Sequence, residues 1–472
     1  MSSLSLPTQY PAQAISTRKT RAAKLTLWPL VAATFFMVSG GTYGTEEIVS
    51  GAGYGHGILI LLFLPVLWCL PTAFMIGELS SALPAEGGYY AWVRRGLGNF
   101  WGFQEAWLSL VASIFDMAIY PTLFVFYLKQ MSPWFGIGNH GVLAGLFVVV
   151  TCAALNLAGI RVVGITSLWL FFLLSAPFAV IVLLAPVRAG ALAATPQASE
   201  AGAGLGLLGG VLVAMWNYMG WDNASTIAQE VERPQRTYPR AMIAAVILVS
   251  LTYILPFAAV YFMGVPATAF AEDGSWATVA GLVGGKVMGF EWLRFLVVLG
   301  GMMSAFGMFN ALVMSYSRLP LAMARDGMLP KVFAKTSART QAPWVAIIAC
   351  ATCWALCLGL GFKRLVTLDI MLYGAALILE FVTLVALRVR EPQLKREFRV
   401  PGGLAGAILA GVFPLALLTI ALVQSESQSV LGINGLLFGV LIMGAGFVLY
   451  ASTRKLRKRL ATEVAAQVAE PA

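Results

Sequence analysis

Long apolar runs, each interrupted by only a few polar residues, follow one another along nearly the whole chain. Each run is about 18 to 28 residues long, which is enough for a helix to cross the hydrocarbon core of a bilayer. Twelve runs are predicted to be transmembrane helices, at 27–53, 57–83, 99–128, 139–159, 163–186, 204–229, 240–264, 289–318, 343–361, 365–389, 403–424 and 431–452. The segments between them are short, so the pattern predicts an all-α integral membrane protein without an inserted soluble domain.

Two of these spans are interrupted by glycine and polar residues. The first contains SGGTYG at 39–44, and the sixth contains a polar patch at 217–226, five spans later. Breaks in corresponding spans of two five-helix halves are typical of an inverted repeat with a substrate site near the midplane. A close-packing role for Gly40 and Gly44 in a GxxxG spacing is the alternative. It would explain the glycines but not the adjacent Glu46 and Glu47.

Composition and charge agree with a membrane protein. The 472 residues are 59% hydrophobic and 11% charged, with a mean hydropathy of +0.82, which excludes a soluble domain of this length. With both termini inside, 25 of the 31 Lys and Arg residues fall in segments predicted to be cytoplasmic. The net charge of +10 therefore indicates topology and contact with anionic lipid, and no nucleic-acid partner is predicted.

The spans divide the chain into four predicted parts. Residues 1–26 form a cytoplasmic tail, since no small-residue cleavage site follows them. Residues 27–402 form a ten-helix core whose halves cover roughly 27–190 and 204–390. Two peripheral helices at 403–452 and a basic cytoplasmic tail at 453–472 complete the prediction.

Metal and cofactor chemistry is not predicted. Cys350, Cys353 and Cys357 share one helix face, but no histidine or acid lies near them in the sequence to complete a soft-metal site. Small apolar packing explains them better. His56 and His140 fall in short outer loops, which argues against a membrane-embedded haem.

Several segments carry a resemblance to one family. They are VSGGTYGTEE at 38–47, PAEGGYYAWVRRGLG at 84–98, WNYMGWDNASTIAQEVERPQRTYPRA at 216–241, SRLPLAMARDGMLPKVFAKTSARTQAPWVAI at 317–347 and LEFVTLVALRVREPQLKREFRVP at 379–401. The chain resembles the amino acid/polyamine/organocation transporter superfamily and, within it, the plant-type polyamine/proton symporter branch. Glu397 departs from the proline that this branch usually has before an aromatic. The resemblance implies a LeuT-like fold, a 5+5 inverted repeat with broken helices one and six, that works by alternating access.

The candidate substrate site combines both breaks with acidic and aromatic residues. Glu46 and Glu47 fall in the first turn of the half-helix after the first break, where they either cap that helix or favour a bound ammonium group. Asp222, close to aromatic residues, offers an ion pair and cation–π contact to an amine, although aromatics here also serve as gates. The predicted substrate-binding residues are Ser39, Gly40, Gly41, Thr42, Tyr43, Gly44, Glu46, Glu47, Asp116, Trp216, Tyr218, Trp221, Asp222 and Asn223.

Ion coupling is assigned to a second, overlapping set. Glu47, Asp116 and Glu380 are candidate proton carriers, because ionisable residues in spans are usually functional. Arg161 falls about where several proton-linked members of the superfamily carry a lysine; it is either a fixed cation there or an ordinary loop arginine. The eighth span has no evident sodium-ligand set, so proton coupling or exchange is favoured. Glu78 and Glu105, nearer to helix ends, are interpreted as packing or loop-pairing residues.

These features predict a secondary transporter, not an enzyme, in the cell membrane. The favoured function is proton-coupled uptake of a cationic amine, either a polyamine or a basic amino acid. The alternative is a general or neutral amino acid permease or exchanger, in which amides near Gly40 to Gly44 hold a carboxylate. The expected partners are a small-molecule substrate, a proton and the lipid bilayer. No lysine lies deep in a predicted span, which argues against a respiratory pump subunit, and the oligomeric state stays open.

Overall fold

A computed structural model describes most of the chain. It covers residues 24–187, 206–270, 275–288, 292–358, 362–425, 429–430 and 433–453. The helices in chain order are α1 Leu27–Val38, α2 Glu46–Leu64, α3 Leu70–Ala82, α4 Tyr89–Leu97, α5 Asn99–Met131, α6 His140–Leu157, α7 Ile160–Leu184, α8 Gly206–Asn217, α9 Pro234–Met263, α10 Trp276–Met288, α11 Trp292–Tyr316, α12 Arg318–Arg325, α13 Trp344–Leu356, α14 Phe362–Arg390, α15 Gly403–Ser425 and α16 Gly435–Ser452.

Shorter elements connect these helices. A π-helical turn at Pro65–Cys69 joins α2 to α3, and short 3-10 segments lie at Pro133–Gly136, Trp221–Glu230, Ala267–Phe270 and Lys331–Ala334. Two antiparallel two-residue strands, β1 Ser429–Val430 and β2 Ile433–Asn434, precede α16. The structure is therefore almost entirely helical over the residues it describes, as the hydrophobic pattern predicts.

Membrane-crossing lengths are common among these helices. Within the described residues, eight are long and apolar enough to span a bilayer, at Glu46–Ala82, Asn99–Met131, His140–Leu157, Val162–Leu184, Pro234–Met263, Trp292–Arg325, Leu368–Arg390 and Gly403–Ile420. Shorter apolar helices lie at Leu27–Val38, Trp344–Leu356 and Leu437–Ser452. The chain is thus a multi-pass membrane protein, and the count of twelve spans stays a prediction. The predicted terminal tails lie almost entirely outside the described residues.

The first break lies where the sequence predicts it. Helix α1 ends at Val38, and Gly41 and Gly44 then take positive φ angles of 74° and 84°, which side chains rarely adopt. Helix α2 starts at Glu46, so both predicted carboxylates do lie in its first turn. The backbone leaves helical geometry again at Gly53, with φ 73°, close to the predicted boundary between the first two spans.

The second break brings the two interrupted segments together. Helix α8 ends at Asn217, and Gly220, with φ 88°, leads into the 3-10 segment Trp221–Glu230. A Cβ atom on Gly220 would lie well inside van der Waals contact of the Met37 carbonyl oxygen at the end of α1. Only glycine allows the backbones to approach this closely, because it has no Cβ and tolerates positive φ. The two breaks are therefore neighbours in space.

One end of the bundle is held by arginine–carboxylate pairs, and we call it the basic face. Four pairs with at least one partly exposed partner are Arg94–Asp326, Arg95–Glu391, Arg318–Glu230 and Arg325–Glu86. The exception is Glu78 of α3, which is fully buried. It pairs with Arg388 of α14 and, at 3.1 Å, with Arg396, and it accepts the Val400 amide at 2.7 Å. Glu78 thus ties α3 to α14 and its following loop, in keeping with the predicted loop-pairing role.

Replacement of Glu78 should destabilise the fold strongly. Glu78→Ala leaves Arg388 and Arg396 buried without their counter-charge, so we expect a loss of about 3–5 kcal/mol in unfolding free energy. The midpoint of thermal unfolding in detergent measures it. Glu397→Ala is the matched control, because it removes an exposed pair with Arg236 that contributes about 0–1 kcal/mol. Equal midpoints for the two variants would contradict the assignment.

Candidate functional site

A central cavity lies where the two breaks meet helices α5, α11 and α14. Its walls share a mixture of acidic, aromatic and small or thioether side chains. The lining residues are Met37, Val38, Tyr43, Asp116, Tyr120, Leu123, Tyr127, Trp216, Asn217, Met219, Gly220, Gly301, Ser304, Ala305, Met308, Tyr316, Asp369 and Tyr373. Of the predicted substrate-binding residues, Tyr43, Asp116 and Trp216 are therefore on the cavity wall.

Asp116 is an acid of the cavity wall whose side chain is held by two hydrogen bonds. Its side chain on α5 is almost wholly buried, at 5% exposure. One carboxylate oxygen accepts the Tyr120 hydroxyl at 2.6 Å, and the other accepts the Tyr316 hydroxyl at 3.2 Å. Both bonds favour a charged carboxylate, and they fix its orientation from two different helices. Asp116 is thus prepared to hold a cation in the cavity.

Asp369 is a second acid on the cavity wall, and sequence reasoning did not place it in the site. It lies on α14 with 2% exposure, and its Oδ1 atom is buried without a hydrogen-bond partner. Its charge interacts with those of Asp116 and Asp222. A buried, unpaired carboxylate oxygen is costly unless a ligand or a proton satisfies it. The only indication in the sequence that Asp369 could belong to the site was that it is an acid in an apolar span. That Asp369 lies on the same cavity wall as Asp116 depends on how α14 packs against α5.

The rest of the wall is unusually aromatic. Tyr43, Tyr127 and Tyr373 join Tyr120, whose ring stacks on Trp216 with centroids 6.4 Å apart. No lysine, arginine or histidine is among the lining residues. Aromatic faces attract cations through their quadrupoles, and the effect grows where water is excluded. Two carboxylates in an aromatic wall without a basic residue form a site suited to an ammonium group.

The glycine-rich stretch of the first break is largely occupied by bonds within the protein. Ser304 donates to the Gly40 carbonyl at 2.5 Å, and Asn217 donates to the Gly44 carbonyl at 3.0 Å. The Gly41 amide bonds the Ser39 hydroxyl at 3.0 Å, while the Thr42 hydroxyl donates to the Thr252 carbonyl at 2.8 Å. In this conformation these groups hold the break to α9, α8 and α11, and they do not line the cavity.

Glu46 and Glu47 differ in their surroundings. Glu46 is buried, at 8% exposure, and accepts the hydroxyl of Tyr127, a cavity residue, at 2.6 Å. It therefore contacts the cavity wall through Tyr127. Glu47 is partly exposed and, like Glu46, is not among the cavity-lining residues. The negative charge that faces the cavity comes from Asp116 and Asp369.

The predicted residues of the second break lie behind the cavity wall. Asp222 accepts the hydroxyl of Tyr373, a lining residue, at 2.5 Å, and that hydroxyl accepts the Gly220 amide at 3.1 Å. Trp221 and Tyr218 are fully buried, and the Trp221 indole donates to the Tyr218 carbonyl at 2.8 Å. These hydrogen bonds replace helical ones at the break, so Asp222, Trp221 and Tyr218 support the lining residues from behind the cavity wall.

Asn223, a predicted substrate-binding residue, and Glu380, a predicted coupling residue, are not among the described cavity-lining residues. Asn223 bonds Tyr316 and Ser315, which joins the second break to α11. Glu380 is buried on α14, at 1% exposure. The side chain of Arg161 lies outside the described part of the structure. Among the described residues, no three His, Cys, Asp or Glu side chains are placed to hold a metal ion together.

A buried acidic cavity between broken membrane helices is the arrangement of a membrane transporter. The family model described as "Amino acid permease" matches residues 31–448. The chain belongs to the amino acid permease family, and it is a transporter, not an enzyme.

Relatives of similar length support this placement. The chain is 34% identical to "Polyamine transporter RMV1" of Arabidopsis thaliana, over 87% of this chain and 82% of the relative. It is 34% identical to "Polyamine transporter PUT1" of Oryza sativa subsp. japonica, over 90% and 78%. A bacterial relative, "Uncharacterized transporter Rv1999c" of Mycobacterium tuberculosis, is 30% identical over 62% and 63%.

Proposed function

We propose that the protein takes up linear polyamines, which bind as cations in the central cavity. The observation that carries the proposal is the pair of buried carboxylates, Asp116 and Asp369, in an aromatic wall whose described lining residues include no basic one. A primary ammonium group brings three N–H donors and a positive charge, and both match this lining. The names of the plant relatives, which are polyamine transporters, support the same substrate class.

We infer that transport proceeds by alternating access in a LeuT-like arrangement of twelve spans. Two glycine-containing breaks that meet at a central cavity support this inference. The core then comprises 27–402, with two peripheral helices at 403–452. We infer that the basic face, which is rich in arginine, faces the cytoplasm, that both termini lie on that side, and that the protein is in the cell membrane.

A proton is the coupling ion that we favour. Asp116 is a buried acid on the cavity wall, and Glu380 is a buried acid on α14; either can carry a proton inward in the same transport cycle as the substrate. The Ser304 hydroxyl is already used by the Gly40 carbonyl at 2.5 Å, so this pair satisfies itself without a cation. Arg161, if it faces this region, would be a fixed charge.

The second candidate function is a general or neutral amino acid permease, which the family description favours. A zwitterion would place its carboxylate near Asp116 and Asp369, where like charges repel it unless both acids are protonated. A carboxylate needs hydrogen-bond donors, and the Gly41 amide of the break already donates to the Ser39 hydroxyl at 3.0 Å. The polyamine proposal does not face this electrostatic cost.

Uptake into proteoliposomes separates the two candidates. We expect saturable uptake of labelled putrescine and spermidine that unlabelled polyamine inhibits and excess leucine does not. A proton gradient directed into the vesicles should accelerate this uptake, and a protonophore should abolish that acceleration. If leucine is taken up while putrescine neither enters the vesicles nor competes with leucine, the polyamine proposal is refuted. Uptake of putrescine that ignores the pH gradient would refute proton coupling alone.

A further inference from the structure

A second cluster of buried acids lies in the bundle away from the central cavity. Glu105 of α5 is fully buried, and Glu380 of α14 is 1% exposed. Their charges interact with each other and with that of Asp222. Sequence reasoning took Glu105 for a packing or loop-pairing residue. In the structure its Oε1 accepts only the Ser109 hydroxyl, at 3.3 Å, one turn along its own helix.

Two carboxylate oxygens of this cluster, Glu105 Oε2 and Glu380 Oε2, are buried without a hydrogen-bond partner. Tyr89, at the start of α4, is also buried; it interacts with Ser109 and electrostatically with both glutamates and Asp222. Unpaired carboxylate oxygens in a membrane interior cost free energy, and two of them on the packed helices α5 and α14 indicate a missing ligand. An alkylammonium group brings N–H donors for both oxygens and for the Tyr89 hydroxyl.

The cluster is connected to the central cavity by Asp222. Tyr373 lines the cavity and donates to Asp222 at 2.5 Å. Asp222 in turn interacts with Asp116 and Asp369 on one side and with Glu105 and Glu380 on the other. The five carboxylates therefore form one electrostatically interacting set, which we call the acidic ladder.

The spacing of this ladder is regular. Glu105 and Asp116 are 11 residues apart on α5, and Asp369 and Glu380 are 11 apart on α14. Because Asp116 faces Asp369 and Glu105 faces Glu380, the two helices run antiparallel. Eleven residues of α-helix correspond to about 16 Å. An extended tetraamine such as spermine has its terminal nitrogens separated by a comparable distance, whereas putrescine is far shorter.

We propose that Glu105, Glu380 and Tyr89 form a second ammonium site, which holds the leading amine of a long linear polyamine while its trailing amine occupies the central cavity. The proposal rests on the proposed function, since it requires a polyamine substrate. It adds a length selectivity that the central cavity by itself does not provide. The second site lies toward the basic face, because Glu105 is near the start of α5, which follows Arg94 and Arg95.

The test compares polyamines of different length in proteoliposomes. For Glu105→Gln, we expect the KM for spermine to rise about tenfold, since the change removes a charge-assisted contact. The KM for putrescine should stay within about twofold of the parent, because putrescine cannot bridge the two sites. Tyr89→Phe should also raise the KM for spermine, but by a smaller factor, and this substitution does not change the charge of the protein. Glu232→Gln, on an exposed glutamate, is the matched control.

The possible outcomes are distinguishable. Equal changes for spermine and putrescine, or no change for either, would overturn the second site. Loss of proton influx in Glu105→Gln, read with a trapped pH dye, at an unchanged ratio of the two KM values would also overturn it and assign Glu105 to proton transfer. A parent protein that takes up no polyamine would refute the proposed function instead. Size-exclusion profiles confirm that each variant is folded.

Discussion

Asp116→Asn should lower the catalytic efficiency of polyamine uptake, kcat/KM, by about two orders of magnitude, because the cavity loses a buried carboxylate that is oriented by two tyrosines. Asparagine has nearly the same shape, so the cavity keeps its size. Its amide keeps an acceptor oxygen for one of the Tyr120 and Tyr316 hydroxyls and places an NH2 donor against the other, and the site loses its charge. Initial rates of labelled spermidine uptake over a concentration series give the measurement.

Two comparisons make the Asp116 result interpretable. Glu397→Gln changes an exposed acid on the basic face and should leave kcat/KM at the parental value. Leucine competition in the same vesicles shows whether the asparagine variant has gained affinity for a zwitterion, which a neutral cavity would permit. A parental kcat/KM for spermidine in Asp116→Asn would remove the central argument for a cation site.

Gly220→Ala should reduce uptake about a hundredfold, because it pushes apart the two breaks that form the cavity. The added Cβ would overlap the Met37 carbonyl oxygen, which is backbone and cannot rotate away. The φ angle of 88° adds strain that side chains rarely tolerate. The Gly220 amide would also shift from the Tyr373 hydroxyl, which in turn orients Asp222. Uptake per amount of monodisperse protein measures the effect.

Gly444→Ala is the control for this substitution. Gly444 lies in α16, and a Cβ there meets no atom within 4 Å. Alanine favours the helix over glycine, so we expect parental uptake and unchanged or slightly higher thermal stability. If Gly220→Ala transported at the rate of Gly444→Ala, the close approach of the two breaks would have no role in transport.

The helical architecture was largely accessible from the sequence because it depends on local properties. Apolar runs predict helices, and glycine with polar neighbours predicts where a helix is interrupted. Both breaks, at 39–45 and 218–220, lie within the predicted stretches. The position of Glu46 and Glu47 in the first turn of α2 follows from the same local reasoning. Segment 188–205, which joins the predicted halves, lies outside the described residues.

The cavity itself was only partly accessible. Asp116 and Trp216 were named from the sequence as ligands, and the structure places both on the cavity wall. Glu47 was named for its position beside the glycines, yet the helix turn directs it to a partly exposed position away from the cavity. Asp369 has the same apolar surroundings in sequence as several other acids. Its role depends on which face of α14 packs against α5.

The sequence alone determined that this chain is a helical membrane protein with two interrupted helices and an excess of arginine at one end. Those features arise from hydropathy, glycine and charge, which act within a single segment. Only the tertiary structure decided that Asp116 and Asp369 line one cavity, that Glu105 and Glu380 interact electrostatically, and that the carbonyls of the first break are bonded within the protein. Each of these interactions joins different segments of the chain, and the rotation and register of packed helices depend on all the side chains between them.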